Sequence, residues 1–183
     1  MSILKVDTIN EKTSGNGVAI PGHVVQVLNS IRNTAVSTTS TTFANVDNLS
    51  LNITPKSNTS KILIDVKLNH MSTETGDIVC CRLVRDSTVI AAHSGSGVAH
   101  NNGTFATGGG GGQSNATYNG GDRRKVDSGG VSFLDSPATT SATTYKVQGR
   151  NNGDSTNNFH VNRLGNTTNV SACSSITAME IAQ

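Results

Sequence analysis

Three groups of residues in this sequence have types and spacings that chemistry can use: a glycine run, five histidines and a pair of aspartates. The glycine run lies in "FATGGGGGQSNATYNGGDRR", Phe105 to Arg124. A phosphate-binding loop needs backbone N–H groups leading into a helix, with Lys and Ser/Thr in register. Here no GK[ST] follows and no helix pattern begins, so nucleotide binding is not expected. A linker would need a second domain after it, yet Val131 onward continues the rhythm of strands. The stretch therefore reads as part of a long surface loop, residues 93–130. Loops of that length within compact domains are usually functional or disordered. Phe105, Asn115, Tyr118, Arg123 and Arg124 are the candidate ligand-binding residues, able to stack on and hydrogen-bond to a sugar. The competing reading, a loop that packs without any ligand, stays equally open.

The histidines are His23, His70, His93, His100 and His160. None forms an H-x-H or HExxH spacing, so solvated loop histidines are expected rather than a zinc site. No metal and no cofactor are expected. For acyl transfer a nucleophile elbow is missing: "SGSG" at Ser94 to Gly97 lacks the order and the strand-to-helix setting. Asp127 and Asp135 are the one pair that glycoside hydrolysis could use. A saccharide cleft also needs aromatic platforms, and the chain has no Trp. The expectation is a protein that is not an enzyme. Of the cysteines, adjacent Cys80 and Cys81 would point to opposite faces of a strand. Together with Cys173 they are expected to be buried, reduced thiols.

What must position these residues is a β-structure. Hydrophobic residues make up 34% of the 183 and charged residues only 14%, with a net charge of +2. Most of the polarity is uncharged Ser, Thr, Asn and Gly, which with regular apolar punctuation suits strands joined by turns. Arg123, Arg124 and Lys125 form the only basic cluster, too little for the electrostatic footprint of a nucleic-acid binder. The opening "MSILKVDTINEK" has no apolar core of a signal peptide, and no run is long enough to span a bilayer as a helix. Aromatic residues are 3% of the chain, so one protomer has little bulk for a core, and a homo-oligomer is expected.

Along the chain, "KILIDVKLNH" alternates at Ile62, Ile64, Val66 and Leu68 and is the clearest strand. "HVVQVLNSIRN", "FANVDNLSLNITP", "DIVCCRLVRDSTVIAA", "VSFLD", "TTYKVQGR", "NNFHVNRL" and "SSITAMEIAQ" supply the others. Eight to ten short strands and no amphipathic helix argue an all-β fold, an antiparallel β-sandwich or jelly roll. Residues 23–183 form this domain. Residues 1–22 differ: Ile3, Val6 and Ile9 are spaced apolar residues in a segment too short to bury them, which reads as an attachment arm.

The order "GHVVQV", "TTSTTFANVDNLSLNITPKSNTSKILIDVKLN", "FLDSPATTSATTYKVQGR" and terminal "SITAMEI" resembles that of phage virion proteins, especially those of tailed phages. "ILKVDTINEKTSGNGVAIPG" resembles the N-terminal arms of phage fibre proteins. The resemblance covers most of the chain outside residues 93–130. It implies a jelly roll like that of the complement-component and tumour-necrosis-factor folds, which commonly forms compact trimers. In such a trimer the last strand lies near the threefold axis, which would place Ile176, Ala178, Met179 and Ile181 in the trimer core. It further implies a virion structural protein, assembled in the host cytoplasm and attached through Ile3, Val6 and Ile9 to tail, baseplate or capsid proteins. Two roles follow: a trimeric fibre binding host-surface polysaccharide or protein through its loops, or a capsid decoration or head-fibre protein with no specific receptor. Neither involves nucleic acid or membrane insertion.

Overall fold

The structure is a computed structural model that describes residues 6–10, 20–73, 78–91, 105–108, 117–118, 122–123, 126–151, 159–163 and 172–183. Its strands are β1 (Val24–Arg32), β2 (Val36–Thr38), β3 (Ala44–Ile53), β4 (Lys61–Thr73), β5 (Ile78–Arg85), β6 (Thr88–Ile90) and β7 (Phe105–Gly108). They continue with β8 (Thr117–Tyr118), β9 (Asp122–Arg123), β10 (Val126–Asp135), β11 (Thr143–Asn151), β12 (Phe159–Val161) and β13 (Ser174–Ile181). Every pairing is antiparallel. The described residues contain no helix. The all-β sandwich expected from the sequence is therefore what forms.

Two sheets face each other. In the first, β1 pairs β13, β13 pairs β4, and β4 pairs β10 along its other edge. Beyond β13 the short β12 pairs both β4 and β2. In the second, the order is β3-β11-β5-β6, with β7 also paired to β5. The reason these segments are strands is alternation. In β11 and β13 every second residue is buried and the ones between are half-exposed, as a period of two requires. The inward set, including Leu49, Ile53, Ile62, Ile64, Leu68, Leu83, Tyr145, Val147, Phe159 and Ile176, makes one core between the sheets. Each fully buried Leu, Ile or Phe there contributes about 1.5–3 kcal/mol of apolar transfer.

Turn chemistry follows the residues. Asp86 takes φ 52° in the tight turn between β5 and β6, a conformation that Asp tolerates better than most residues. Asn48 takes φ 60° where β3 bulges, between the pairs Lys146↔Ser50 and Gln148↔Asn45. Asn162 takes φ 59° and ends β12. Its buried amide donates to the Arg32 and Thr34 carbonyls and its Oδ1 accepts from Ser174 Oγ at 2.6 Å. One side chain thus joins three segments of the first sheet.

The stretch 93–130 differs from the single long loop expected of it. Residues 105–108 are β7, 117–118 and 122–123 form the hairpin β8–β9, and 126–130 are the first half of β10. Gly129 and Gly130 disguise the strand in the sequence, and the structure shows why at least the second is glycine. A Cβ at Gly130 would lie 2.2 Å from the Val66 carbonyl oxygen, so the two backbones approach too closely for any side chain.

Candidate functional site

The first strand is the element on which the surface turns. In an ordinary sandwich edge strand, apolar side chains face inward and polar ones face water. In β1 this is partly inverted, although Leu28 still packs against the core. Gln26, Ser30 and Arg32 face inward, and each donates to a backbone carbonyl of the β3 edge or the turn after it. Gln26 Nε2 reaches Thr54 O at 2.8 Å, Ser30 Oγ reaches Asn48 O at 2.9 Å, and Arg32 Nη1 reaches Asp47 O at 2.7 Å. These bonds close the side of the sandwich with polar groups. The outward positions of the same strand carry Val27 and Ile31, 57% and 60% exposed.

Register extends the apolar surface across the sheet. Val27 opposes Met179, Met179 opposes Leu63, and Leu63 opposes Leu134, giving a row four strands wide on the outer face. Leu134 is 46% exposed, and Met179 and Leu63 are half-buried. Val24 and Ile181 oppose each other beyond one end of the row. On the other side the face turns polar: Asn29 donates to Thr177 Oγ1, and Ser132 donates to Asp65. There a shallow hollow of about 400 Å3 opens over Gly129 and Gly130, beside Lys67 and Asn69.

The arm joins this same end of the sheet. Gly22 N–H donates to the Ala182 carbonyl at 2.8 Å and Ala182 N–H donates to the His23 carbonyl at 2.9 Å, so the entry to β1 lies beside the end of β13. Within the arm, Val6, Ile9 and Ile20 are exposed. Ile3 lies outside the described residues. All the large exposed apolar residues among those described thus belong to the arm, to β1 or, with Leu134, to β10 of the same sheet. Among its described side chains the second sheet presents none.

The four residues expected in a trimer core separate by alternation. Ile176 and Ala178 are fully buried in the protomer's own core, packed between its sheets. They cannot meet another subunit without opening the sandwich. Met179 and Ile181 lie on the outer face with the apolar row. The sequence signal that would have separated them is the period of two, read together with the burial of the facing strand β4.

Of the loop candidates, Tyr118 and Arg123 belong to the one hairpin β8–β9, where Tyr118 opposes Asp122 and Thr117 opposes Arg123. Phe105 begins β7 and opposes Cys81 on β5. Asn115 and Arg124 lie outside the described residues.

The groups considered for catalysis have structural partners or are far apart. Asp135 is buried, receives both its contacts from Arg85 Nη1 at 2.8 Å, and accepts from Tyr145 Oη at 2.6 Å. Burial, then the Asp135 contact, pushes the Tyr145 hydroxyl well above the usual phenol range. Asp127 sits at the other end of β10, opposite Met71, whereas Asp135 is opposite Ile62. Eight residues of strand separate them by about 26 Å, beyond either glycosidase spacing.

Two expectations about single residues fail. His160 is buried in β12, where its Nδ1 pairs with Ser37 Oγ at 2.6 Å, and is not a solvated loop histidine. His23 is exposed, and His93 and His100 lie outside the described residues. Cys173 is exposed. Cys80 and Cys81 are buried as expected, with Cys81 alone of the two in the central core. No group of three or more metal-ligating side chains occurs among the described residues.

The sequence reading missed Phe43, Arg82 and Arg150, which gather on the outer face of the second sheet. Nothing in their spacing along the chain announces the cluster, because it is made by two paired strands and the residue just before β3. Compared with known protein families and with curated proteins, the chain matches none.

Proposed function

We propose that the chain is a homotrimeric, non-enzymatic structural protein of a phage particle, held to the virion by its N-terminal arm and exposing loops for host-surface binding. The observation that carries this reading is the partly inverted β1 strand. Three of its inward side chains, Gln26, Ser30 and Arg32, are polar and bonded to β3 or the turn after it, beside Leu28 on the core, while outward Val27 and Ile31 are apolar and Val27 continues into the row Val27–Met179–Leu63–Leu134. A face built that way is stabilised by covering it with protein. A second and third copy would cover it and make up for the shortage of aromatic residues within one core. The apolar, exposed Val6 and Ile9 favour a docked arm.

The strand order supports the finer fold reading as well. With β1, β13, β4 and β10 in one sheet and β3, β11, β5 and β6 in the other, the first and last strands are neighbours, as in a jelly roll of two Greek keys. The β8–β9 hairpin, carrying Tyr118 and Arg123, is the first candidate for the host-binding surface. Three weak sites on one trimer would gain avidity through multivalency.

Immunogold electron microscopy of intact virions, with antibody raised to the purified protein, tests the assignment. Label at the tail or baseplate upholds the host-recognition role. Label spread over the head makes the chain a decoration or head-fibre protein, and absence of label overturns the virion reading. Replacing residues 115–121 by a short linker should lower host adsorption while leaving the protein on the particle. Deleting residues 1–22 should remove it from the particle.

A further inference from the structure

On the outer face of the second sheet, two arginines from neighbouring strands lie over one phenylalanine. The Arg82 guanidinium carbon is 4.1 Å from the centroid of the Phe43 ring and that of Arg150 is 5.0 Å from it, both within cation–π range. Register brings them there. Gln148 on β11 opposes Arg82 on β5 and Asn45 on β3, while Arg150 opposes Cys80. The same row fixes Arg82 in place. Its Nε donates to Gln148 Oε1 at 2.8 Å, and Gln148 Nε2 donates in turn to Asn45 Oδ1 at 2.9 Å.

Guanidinium groups carry five donors, and their strongest partners are carboxylate and phosphate oxygens, often met in pairs. Among the described residues Arg82 has no such partner: its neighbours are a neutral amide and an aromatic ring, and neither ion pair includes it. Partial burial and then the like charge of Arg150 lower its pKa, and no acidic group opposes them. Lys146, two residues before Gln148 on the same strand, adds a third positive charge to the same face. The fold therefore holds a cation beside a second cation, with the terminal N–H groups of Arg82 not engaged by a carboxylate among the described residues.

We infer that Arg82, positioned by Gln148 and Phe43 and reinforced by Arg150, forms a subsite for an anionic group: the phosphate, sulfate or carboxylate of a surface polymer, or the same group on a small molecule. An anion placed there takes hydrogen bonds from the terminal N–H groups of Arg82, which no carboxylate among the described residues engages. The planar fork of arginine suits the oxygen pairs of these groups. The subsite adjoins the candidate recognition segment, since β7 begins at Phe105 opposite Cys81, the residue before Arg82. It does not depend on where the protein sits on a particle.

Binding of purified protein to dextran sulfate, inorganic phosphate and uncharged dextran, measured by isothermal titration at low and moderate salt, tests this. Salt-sensitive binding to dextran sulfate or phosphate, without binding to uncharged dextran, is expected. Binding to phosphate itself identifies a small-anion site, and binding to the polymer alone identifies an extended one. Arg82→Gln should weaken binding about tenfold, as loss of a charged hydrogen bond does. Arg82→Lys should retain part of it. Lys67→Gln, a change of the same charge on the opposite sheet, should have little effect. Equal losses from Arg82→Gln and Lys67→Gln would mean that net charge alone attracts the polymer, and the subsite would be refuted. Absence of binding to both anions refutes it too. Modification of the unaltered protein with phenylglyoxal, mapped by peptide mass, gives a check that needs no variant. Bound dextran sulfate should protect Arg82, and equal modification with and without it overturns the proposal.

Discussion

Gly149→Ala isolates one packing contact whose sign can be worked from the structure. Gly149 faces inward from β11, and the ring of Phe159 from β12 lies against it. A Cβ at that position would stand 2.4 Å from Phe159 Cε1, 3.1 Å from Cζ and 3.3 Å from Cδ1. Carbon atoms in contact prefer about 3.5–4.0 Å, so the ring must retreat by more than about 1 Å. Phe159 is fully buried. Overpacking of this kind costs about 1–3 kcal/mol. Opposing it, alanine lowers the entropy of the unfolded chain and contributes about 0.4–1 kcal/mol in favour of folding. The net expectation is a loss of about 1–2 kcal/mol, a fall in Tm of roughly 2–8 °C for a chain of this size. Urea unfolding at fixed protein concentration measures it, and an unchanged m-value would show that the denatured state is not the cause. Phe159→Leu supplies the control, because it removes the colliding ring atoms. The double variant should be more stable than the sum of the single losses by at least about 1 kcal/mol. Gly149→Ala more stable than the parent, or additivity within about 0.5 kcal/mol, would refute the contact as the reason for the glycine.

Three further outcomes follow from particular groups. Burial raises the thiols of Cys80 and Cys81 and the hydroxyl of Tyr145, so above about pH 9 the unfolded chain releases protons that the folded chain keeps. Stability from these groups is thus intact below about pH 8 and falls as pH rises, and Cys81→Ala should reduce the slope by about 1.4 kcal/mol per pH unit in urea midpoints taken between pH 9 and 10.5. Asn162→Ala should cost about 2–4 kcal/mol by thermal unfolding, combining lost hydrogen bonds with strain at φ 59°; Asn162→Gly should recover only the backbone part, and full recovery would show that the amide bonds contribute little. Under the proposed trimer, Val27→Asp with Leu134→Asp should shift sedimentation toward the monomer while the far-ultraviolet β signature persists, whereas an unchanged sedimentation coefficient would exclude the outer row as the contact.

The strands were legible wherever one face is buried. Ile62, Ile64, Val66 and Leu68 alternate because β4 lies between β10 and β13 with its inner side on the core, and burial fixes such a register. What escaped the sequence was made by contacts between distant segments. Gly129 and Gly130 look like a loop until Val66 is placed against them. His160 looks solvated until Ser37 arrives from another strand. Asp135, a candidate acid by type, becomes a structural partner once Arg85 and Tyr145 converge on it. The Phe43–Arg82–Arg150 cluster had no signal at all, since its members are far apart in sequence and become neighbours only where β5, β11 and the entry to β3 meet.

The partly inverted β1 strand also sets how separable folding and assembly are. Its inward bonds reach backbone carbonyls at Asp47, Asn48 and Thr54, so they fix β1 to β3 whatever side chains β3 carries there. Glu180 strengthens the end of that seam, accepting from Gln26 Nε2 and, at 2.7 Å, from the Lys56 N–H. The polar seam therefore keeps the sandwich shut without drawing on Val27 or Ile31. Those two side chains contribute little to the folded protomer, and their apolar transfer energy, about 1–3 kcal/mol each when fully buried, stays available for contact with another chain. A strand that spent its apolar residues inward would close the core better but leave that sheet face with no reason to be covered.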